Sequence, residues 1–208
     1  VAAYQAARES AALFDLSDCA KIELTGRDAR EFLHNLCTQD VKNLPVGQWR
    51  EAFLTTNKAR VIAHIWVSHR TQDVLLLDFV GLAEKVESHL NRYLISEQVE
   101  IRPHPAFRLL RIVGPKASAV AAAAGVTPVR ERVLAGFSSI DVMPDDADAA
   151  RERMINAGAV IGDAETYNVV RIEAGLPEYG IDVNEERLAM EVNRPDAISY
   201  TKGCYLGQ

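Results

Sequence analysis

Three observations predict an α+β fold. Short alternating stretches that read as strands are interleaved with stretches of helical period along the whole chain. One pattern occurs twice: a strand, a glycine, two residues and an alanine that opens a helix, first in Lys21-Ile-Glu-Leu-Thr-Gly-Arg-Asp-Ala and again in Phe107-Arg-Leu-Leu-Arg-Ile-Val-Gly-Pro-Lys-Ala. The length of 208 residues, with 48% hydrophobic and 25% charged residues, suits one large globular domain or two small ones. The duplicated unit favours paired α+β halves.

Residues 4–14 have amphipathic spacing and predict a helix that Asp15-Leu-Ser-Asp breaks. Lys21 to Thr25 alternates and predicts a strand. Asp28 is a candidate N-cap for a helix over Ala29 to Leu36. Trp49 to Thr55 and Arg60 to Ser68 predict a strand pair joined through Thr56-Asn-Lys. Val74 to Phe79 reads as a buried strand and Leu82 to Tyr93 as a helix. After the second copy of the repeat, Phe137 to Met143 predicts a strand, and Asp146 to Gly158 a helix ended by Asn156-Ala-Gly. Tyr167 to Glu173 is helical or extended up to Gly175-Leu-Pro. Pro177 to Ala197 is charged and loop-like.

The formal net charge of −6 argues against an extended nucleic-acid surface. No apolar run is long enough to span a bilayer, so no membrane partner is expected. Cys19, Cys37 and Cys204 are too few and too far apart for a disulfide framework, and the reduced thiols fit a cytoplasmic compartment. The first residues lack the apolar core of a signal peptide. Because the chain does not begin with Met, a removed targeting segment and a mitochondrial matrix location stay open. Neither the cysteines nor the five histidines have metal-ligand spacing, and no metal site is expected.

Longer blocks carry a resemblance. Ala11-Ala-Leu-Phe-Asp-Leu-Ser, the first repeat extended through Arg30-Glu-Phe-Leu, and Thr38-Gln-Asp-Val resemble the opening of the glycine-cleavage T-protein (aminomethyltransferase) family. Arg171-Ile-Glu-Ala-Gly-Leu-Pro-Glu-Tyr-Gly-Ile-Asp resembles a later block of the same family. The closing Thr201-Lys-Gly-Cys-Tyr-Leu-Gly-Gln is similar to the Lys-Gly-Cys-Tyr-x-Gly-Gln signature of the YgfZ type and its mitochondrial iron–sulfur assembly relatives, as is Leu188-Ala-Met-Glu-Val-Asn. Two departures from T-proteins point the same way. Their Glu-Lys-Asp, whose Asp is assigned to catalysis near the folate, corresponds to Glu84-Lys85-Val86. An isopropyl group cannot stabilise or relay charge at a reacting nitrogen. Their Gly-Tyr-Thr-Gly-Glu is replaced by Val133-Leu-Ala-Gly-Phe.

The resemblance implies a T-protein-like folate-binding fold with two ferredoxin-like α+β subdomains. One is discontinuous, built from 1–49 and 130–208; the other spans 50–129. A C-terminal β-barrel domain would follow Gln208, and the chain reads as a fragment without it. Tetrahydrofolate is the implied cofactor, bound centrally, and iron–sulfur assembly proteins are the implied partners.

Each candidate residue has two readings. Cys204, between Gly203 and Gly207 and two positions from Lys202, is either a reactive or cluster-linked thiol or a small apolar residue packed in a turn. Glu173 suits the amino-pyrimidine edge of a pterin, or else pairs with Arg171 at a helix. Tyr179 and Tyr205 either stack on the pterin or benzoyl ring or pack with satisfied hydroxyls. Lys202 and Arg194 either meet the glutamate tail of folate or are solvated charges. Cys19 and Cys37 are expected in the core. Three functions follow: a folate-binding YgfZ-like protein for iron–sulfur cluster assembly or repair, a folate-dependent aminomethyltransferase or demethylase in which Asp78 or Glu84 replaces the lost carboxylate, or a scaffold without folate.

Overall fold

A computed structural model describes residues 1–104 and 106–208, Leu134 by its backbone alone. The chain forms two compact units, Val1–Asp18 with Ala106–Pro177, and Cys19–Pro105 with Glu178–Gln208. These limits replace the expected division into 1–49 with 130–208 and 50–129. The reason lies in strand pairing. Strand β2 (Ala20–Thr25) hydrogen-bonds β5 (Val74–Phe79) and β6 (Glu100–Pro103), so the first repeat belongs with the middle of the chain. Strand β7 (Leu110–Val113) pairs β1 (Ala12–Asp15) and β9 (Phe137–Val142), so the second repeat belongs with the chain start.

Each unit is a ferredoxin-like βαββαβ body with one added strand. In the second unit, β2, α2 (Ala29–Leu36), β4 (Val61–Thr71), β5, α3 (Ala83–Tyr93) and β6 form that body. Strand β3 (Trp49–Thr55) adds to its edge, giving the order β3-β4-β5-β2-β6. The first unit uses β7, α4 (Ala117–Ala123), β8 (Arg130–Leu134), β9, α5 (Ala147–Asn156) and β10 (Val160–Ile161). There β1 slots between β7 and β10, giving β10-β1-β7-β9-β8. All pairings are antiparallel except β1 with β10.

The helices form where expected because their apolar residues recur on one face. Phe32, Leu33 and Leu36 of α2 and Val86 and Leu90 of α3 pack on Ile22, Leu24, Ile65, Leu75 and Leu77 of the sheet. In the first unit, Val120 of α4 and Ala150 and Met154 of α5 pack on Leu110, Ile112 and Ile140. Asp146 and Asp163 cap α5 and α6 (Ala164–Glu173), accepting from the amides of Ala149 and Thr166 at 2.9 and 2.8 Å. Asp28 precedes α2 as expected, but its carboxylate accepts from the Gln98 amide instead, tying the helix start to the chain before β6. The expected helix over 4–14 ends at Glu9: α1 covers Ala2–Glu9, and residues 12–15 are β1, buried at Ala12, Leu13 and Phe14. Sheet pairing on both sides overrides the helical period there. The segment 167–173 is helical, as the last turns of α6.

Candidate functional site

The second unit's sheet turns one face to α2 and α3. Its other face carries an uncommon row. Glu51, Trp66, Asp78 and Lys21 stand directly across β3, β4, β5 and β2, and all four are buried. Strand alternation puts them there, since each flanks core residues that point the opposite way. The chain after Pro177 returns over the β3–β4 end of this sheet. Val183, Ala189, Ala197 and Ile198 pack on Phe53 and Val61, and two short 3-10 helices, Ala189–Val192 and Pro195–Ala197, shape the segment. Arg60 and Leu188 form a β-bridge, and the Val61 amide donates to the Arg187 carbonyl at 2.9 Å.

A buried ion network fixes this segment. Arg194 donates to both Glu51 oxygens, at 2.8 and 2.6 Å, in the parallel geometry that suits guanidinium and carboxylate. His64 Nε2 lies 2.7 Å from the same carboxylate, with its ring between those of Phe53 and Trp66 at 4.9 and 4.5 Å. Burial works to raise the Glu51 pKa, but the hydrogen bonds from Arg194 and His64 outweigh it and lower it to about 2. Thr38 adds a second tie: its hydroxyl donates to the Ala197 carbonyl at 2.6 Å and accepts from the Phe53 amide at 2.9 Å.

The closing motif forms an arch pinned on both sides of Cys204. On one side Lys202 Nζ donates to the carbonyls of His34, Cys37 (2.8 Å) and Gln39 (3.1 Å), capping the C-terminal end of α2. Burial lowers the pKa of this ammonium, partly offset by Cys37 and Asp40. On the other side the Leu206 amide donates to the Asn35 carbonyl at 2.9 Å, and the Thr55 hydroxyl donates to the Leu206 carbonyl at 2.6 Å. Gly207 has φ +87°, and a Cβ there would stand 2.3 Å from the Thr56 carbonyl oxygen, so a side chain at this position collides with the β3–β4 turn. Gly203 meets no such constraint. Between these anchors Cys204 is exposed, whereas Cys37 is buried and Cys19 half-buried. Burial raises the Cys37 pKa, which keeps that thiol protonated.

The other candidates divide between the units. Tyr205 is half-buried beside the arch, its ring centroid 5.3 Å from Lys202 Nζ, and burial raises its pKa. Tyr179 accepts from Lys85 Nζ at 2.9 Å and packs against the returning segment. Glu173 belongs to the first unit. It accepts from the Tyr4 hydroxyl at 2.8 and 3.0 Å and lies 3.7 Å from Arg8, with its side chain 39% exposed. Tyr4 and Arg8 take the place expected for Arg171, which instead donates to the Leu176 carbonyl at 3.3 Å. Lys202 and Arg194, expected as solvated charges or ligands for a carboxylate tail, are both engaged within the protein. Val86 is 1% exposed in the α2–α3 core. Val133 to Phe137 is a two-residue hairpin, with Ala135 and Gly136 both at positive φ (+46° and +86°).

Sequence reasoning missed Glu51, His64, Thr38 and Thr55. Thr38 had a signal, because it opens the Thr-Gln-Asp-Val block. The other three sit in strands, where a polar residue on the face away from the helices reads as solvent-facing until the returning segment is known.

The profile of the GCVT N-terminal domain matches residues 1–143. An aminomethyltransferase of Alcanivorax borkumensis is 25% identical over 91% of this chain and 59% of its own length. The tRNA-modifying protein YgfZ of Yersinia pestis is 24% identical over 94% of the chain and 64% of its own length. The crystal structure of the glycine cleavage system aminomethyltransferase T of Bartonella henselae superposes with a TM-score of 0.79 at 21% identity, over 93% of this chain and 61% of that one. The chain thus spans about 60% of the length of the relatives it matches. Among the described residues no helix is long and apolar enough to cross a membrane. With the GCVT profile matching more than half its length, this chain belongs to the GCVT family, whose members here include both aminomethyltransferases and YgfZ.

Proposed function

We propose that this chain is the folate-binding portion of a YgfZ-type protein that supports iron–sulfur cluster assembly or repair, with Cys204 as its working thiol. The observation that carries the reading is the arch. Lys202, Leu206 and Gly207 are each tied to the β3–α2 end of the second unit, and between them the side chain of the cysteine is left exposed. A motif serving only to fill a turn would bury its thiol, as happens at Cys37. In this reading Lys202 and Arg194 position the arch and the returning segment. Tetrahydrofolate is recognised by Glu173, whose exposed carboxylate would exchange the Tyr4 hydroxyl for the amino-pyrimidine edge of the pterin. Within the second unit, Tyr179 and Tyr205 are half-buried, each with a lysine ammonium over its ring, Lys85 and Lys202 respectively. The partner is an iron–sulfur assembly protein or its cluster.

The test is a calorimetric titration of tetrahydrofolate into the full-length protein and into Cys204→Ala and Glu173→Gln variants. Equal affinity for wild type and Cys204→Ala, with at least about tenfold weaker binding by Glu173→Gln, is the expected result. Absence of binding by the wild-type protein would remove folate from the account. The second reading, an aminomethyltransferase or related one-carbon demethylase, is favoured by the Alcanivorax relative. It needs a carboxylate at the reacting nitrogen, and the buried Val86 supplies none. Glu84, exposed at the start of α3, and Asp78, buried in the sheet, are the substitutes it would use. Glycine-dependent turnover that disappears in Glu84→Gln while folate binding persists would establish that reading over ours.

A further inference from the structure

An open cavity of about 380 Å³, more a groove than an enclosed pocket, lies within the second unit beside α3. Lys85, Ser88, His89 and Arg92 line it at the i, i+3, i+4, i+7 spacing of one helical stripe, while Val86 and Leu90 on the adjoining stripe enter the core. Thr56, Glu185 and the core residue Ile62 close the other side. Its charge is unbalanced toward the positive. Glu185 is the one carboxylate among the lining residues, and it is engaged by Lys85, which also donates to Tyr179. Arg92 has no ion pair among the described residues and is exposed at the mouth. His89 Nε2 is buried and makes no hydrogen bond. Burial, helped by the charge of Arg92, lowers the His89 pKa to about 4, so the ring is neutral near pH 7 and offers one hydrogen-bonding nitrogen rather than a third cation.

We infer that this cavity binds a small anion through an oxyanion head, phosphate or carboxylate, held by Arg92 and Lys85 and hydrogen-bonded by Ser88 and His89. The volume falls in the range of small-molecule sites, and an unpartnered buried imidazole nitrogen beside an unpaired guanidinium is the polar arrangement such a head would satisfy. Thr56 links the cavity to the arch, because the Thr56 carbonyl is the atom against which Gly207 closes. The site uses neither Cys204 nor Glu173 as a ligand, and it meets the folate candidates only through Lys85, which donates to Tyr179.

The experiment titrates inorganic phosphate and, separately, glutarate into the full chain at low ionic strength, following amide shifts by NMR. Wild type is compared with Arg92→Gln, His89→Phe and a control at another exposed arginine, Arg70→Gln. The expected result is saturable binding of one or both probes with a dissociation constant below about 1 mM. Arg92→Gln should weaken it at least about tenfold and His89→Phe by a smaller factor, while Arg70→Gln binds as wild type. Binding of phosphate alone or of glutarate alone identifies the head group. Absence of saturable binding, or equal weakening by Arg92→Gln and Arg70→Gln, overturns the inference. Thermal melts of each variant exclude loss of fold as the cause, and His89→Phe supplies a second readout if Arg92→Gln is unstable.

Discussion

The two strand–glycine–helix units are built alike and finished differently. Gly26 and Gly114 share one backbone conformation, with φ +132° and +133°. Their carbonyls accept from Ala29 and Ala117 at 3.1 and 3.0 Å, starting α2 and α4 in the same way. Each glycine sits under a foreign carbonyl, of Gln98 in one unit and Ser10 in the other. At the far end of each helix a cation caps the last carbonyls. For α4 it is Arg153 of the neighbouring helix α5, donating to the Ala124 carbonyl at 2.9 Å. For α2 it is Lys202, from the last residues of the chain. The shared start is what the fold needs. The exchanged cap is where the second unit departs, because the residue that finishes its helix also anchors an exposed cysteine.

The largest effect expected tests the shared start. Gly26→Ala and Gly114→Ala would place Cβ atoms 2.1 and 2.4 Å from backbone oxygens at a φ that other residues avoid. Each should lower stability by on the order of 3 kcal/mol or more in urea unfolding. A tolerated substitution at one position and not at the other breaks the equivalence.

The sheets offer the next comparison. Each buries a carboxylate on the face away from its two interior helices. Asp141 takes Arg111 at 2.6 and 2.8 Å and Arg130 at 2.6 Å, and Glu51 takes Arg194 and His64. Burial pushes the Asp141 pKa up, but the charges of Arg111, Arg130 and Arg132 carry it well below the usual range. Both folded-state pKa values are depressed, so both carboxylates stabilise the fold above their unfolded values. For Glu51 the contribution is full above pH 4.5 and is lost as pH falls toward 2. That contribution is roughly 3 kcal/mol near neutrality. Glu51→Gln should therefore destabilise the protein at pH 7 and flatten the loss of stability between pH 4.5 and 2. An unchanged pH profile would mean the Arg194 tie does not hold the returning segment.

The smallest effect concerns the caps. Lys202→Met and Arg153→Met should each cost about 1.5–3 kcal/mol, the usual worth of a charged hydrogen bond. Only Lys202→Met should also change the reactivity of Cys204. Equal effects on that thiol would show that the cap is structural in both units.

Much of this was legible in the sequence, for identifiable reasons. Alternation at Lys21–Thr25 and the 3.6-residue period of Ala29–Leu36 and Ala83–Tyr93 follow from one buried face, and the apolar run Val74–Phe79 from burial on both, which a single segment reveals. Strand β1 was hidden because its Ala-Leu-Phe run continues the apolar spacing of α1, and only its partners β7 and β10 make it a strand. The unit boundaries were hidden because they depend on which strand β2 pairs with, a contact some 50 residues away in sequence. At the site, Cys204, Lys202 and Tyr205 were found by their motif. The motif did not reveal that Lys202 would face three carbonyls rather than a ligand. Glu51 and His64 carry no local signal at all.

The arch presents Cys204 while the fold withholds Cys37. Time-resolved alkylation of the native full-length protein, with each cysteine mapped by mass spectrometry, tests it directly in wild type and Lys202→Met. Cys204 should be modified first and Cys37 only on unfolding, and loss of the Lys202 cap should change the Cys204 rate without opening Cys37. Protection of Cys204 in the native protein, or modification of Cys37 as fast as Cys204, would contradict it.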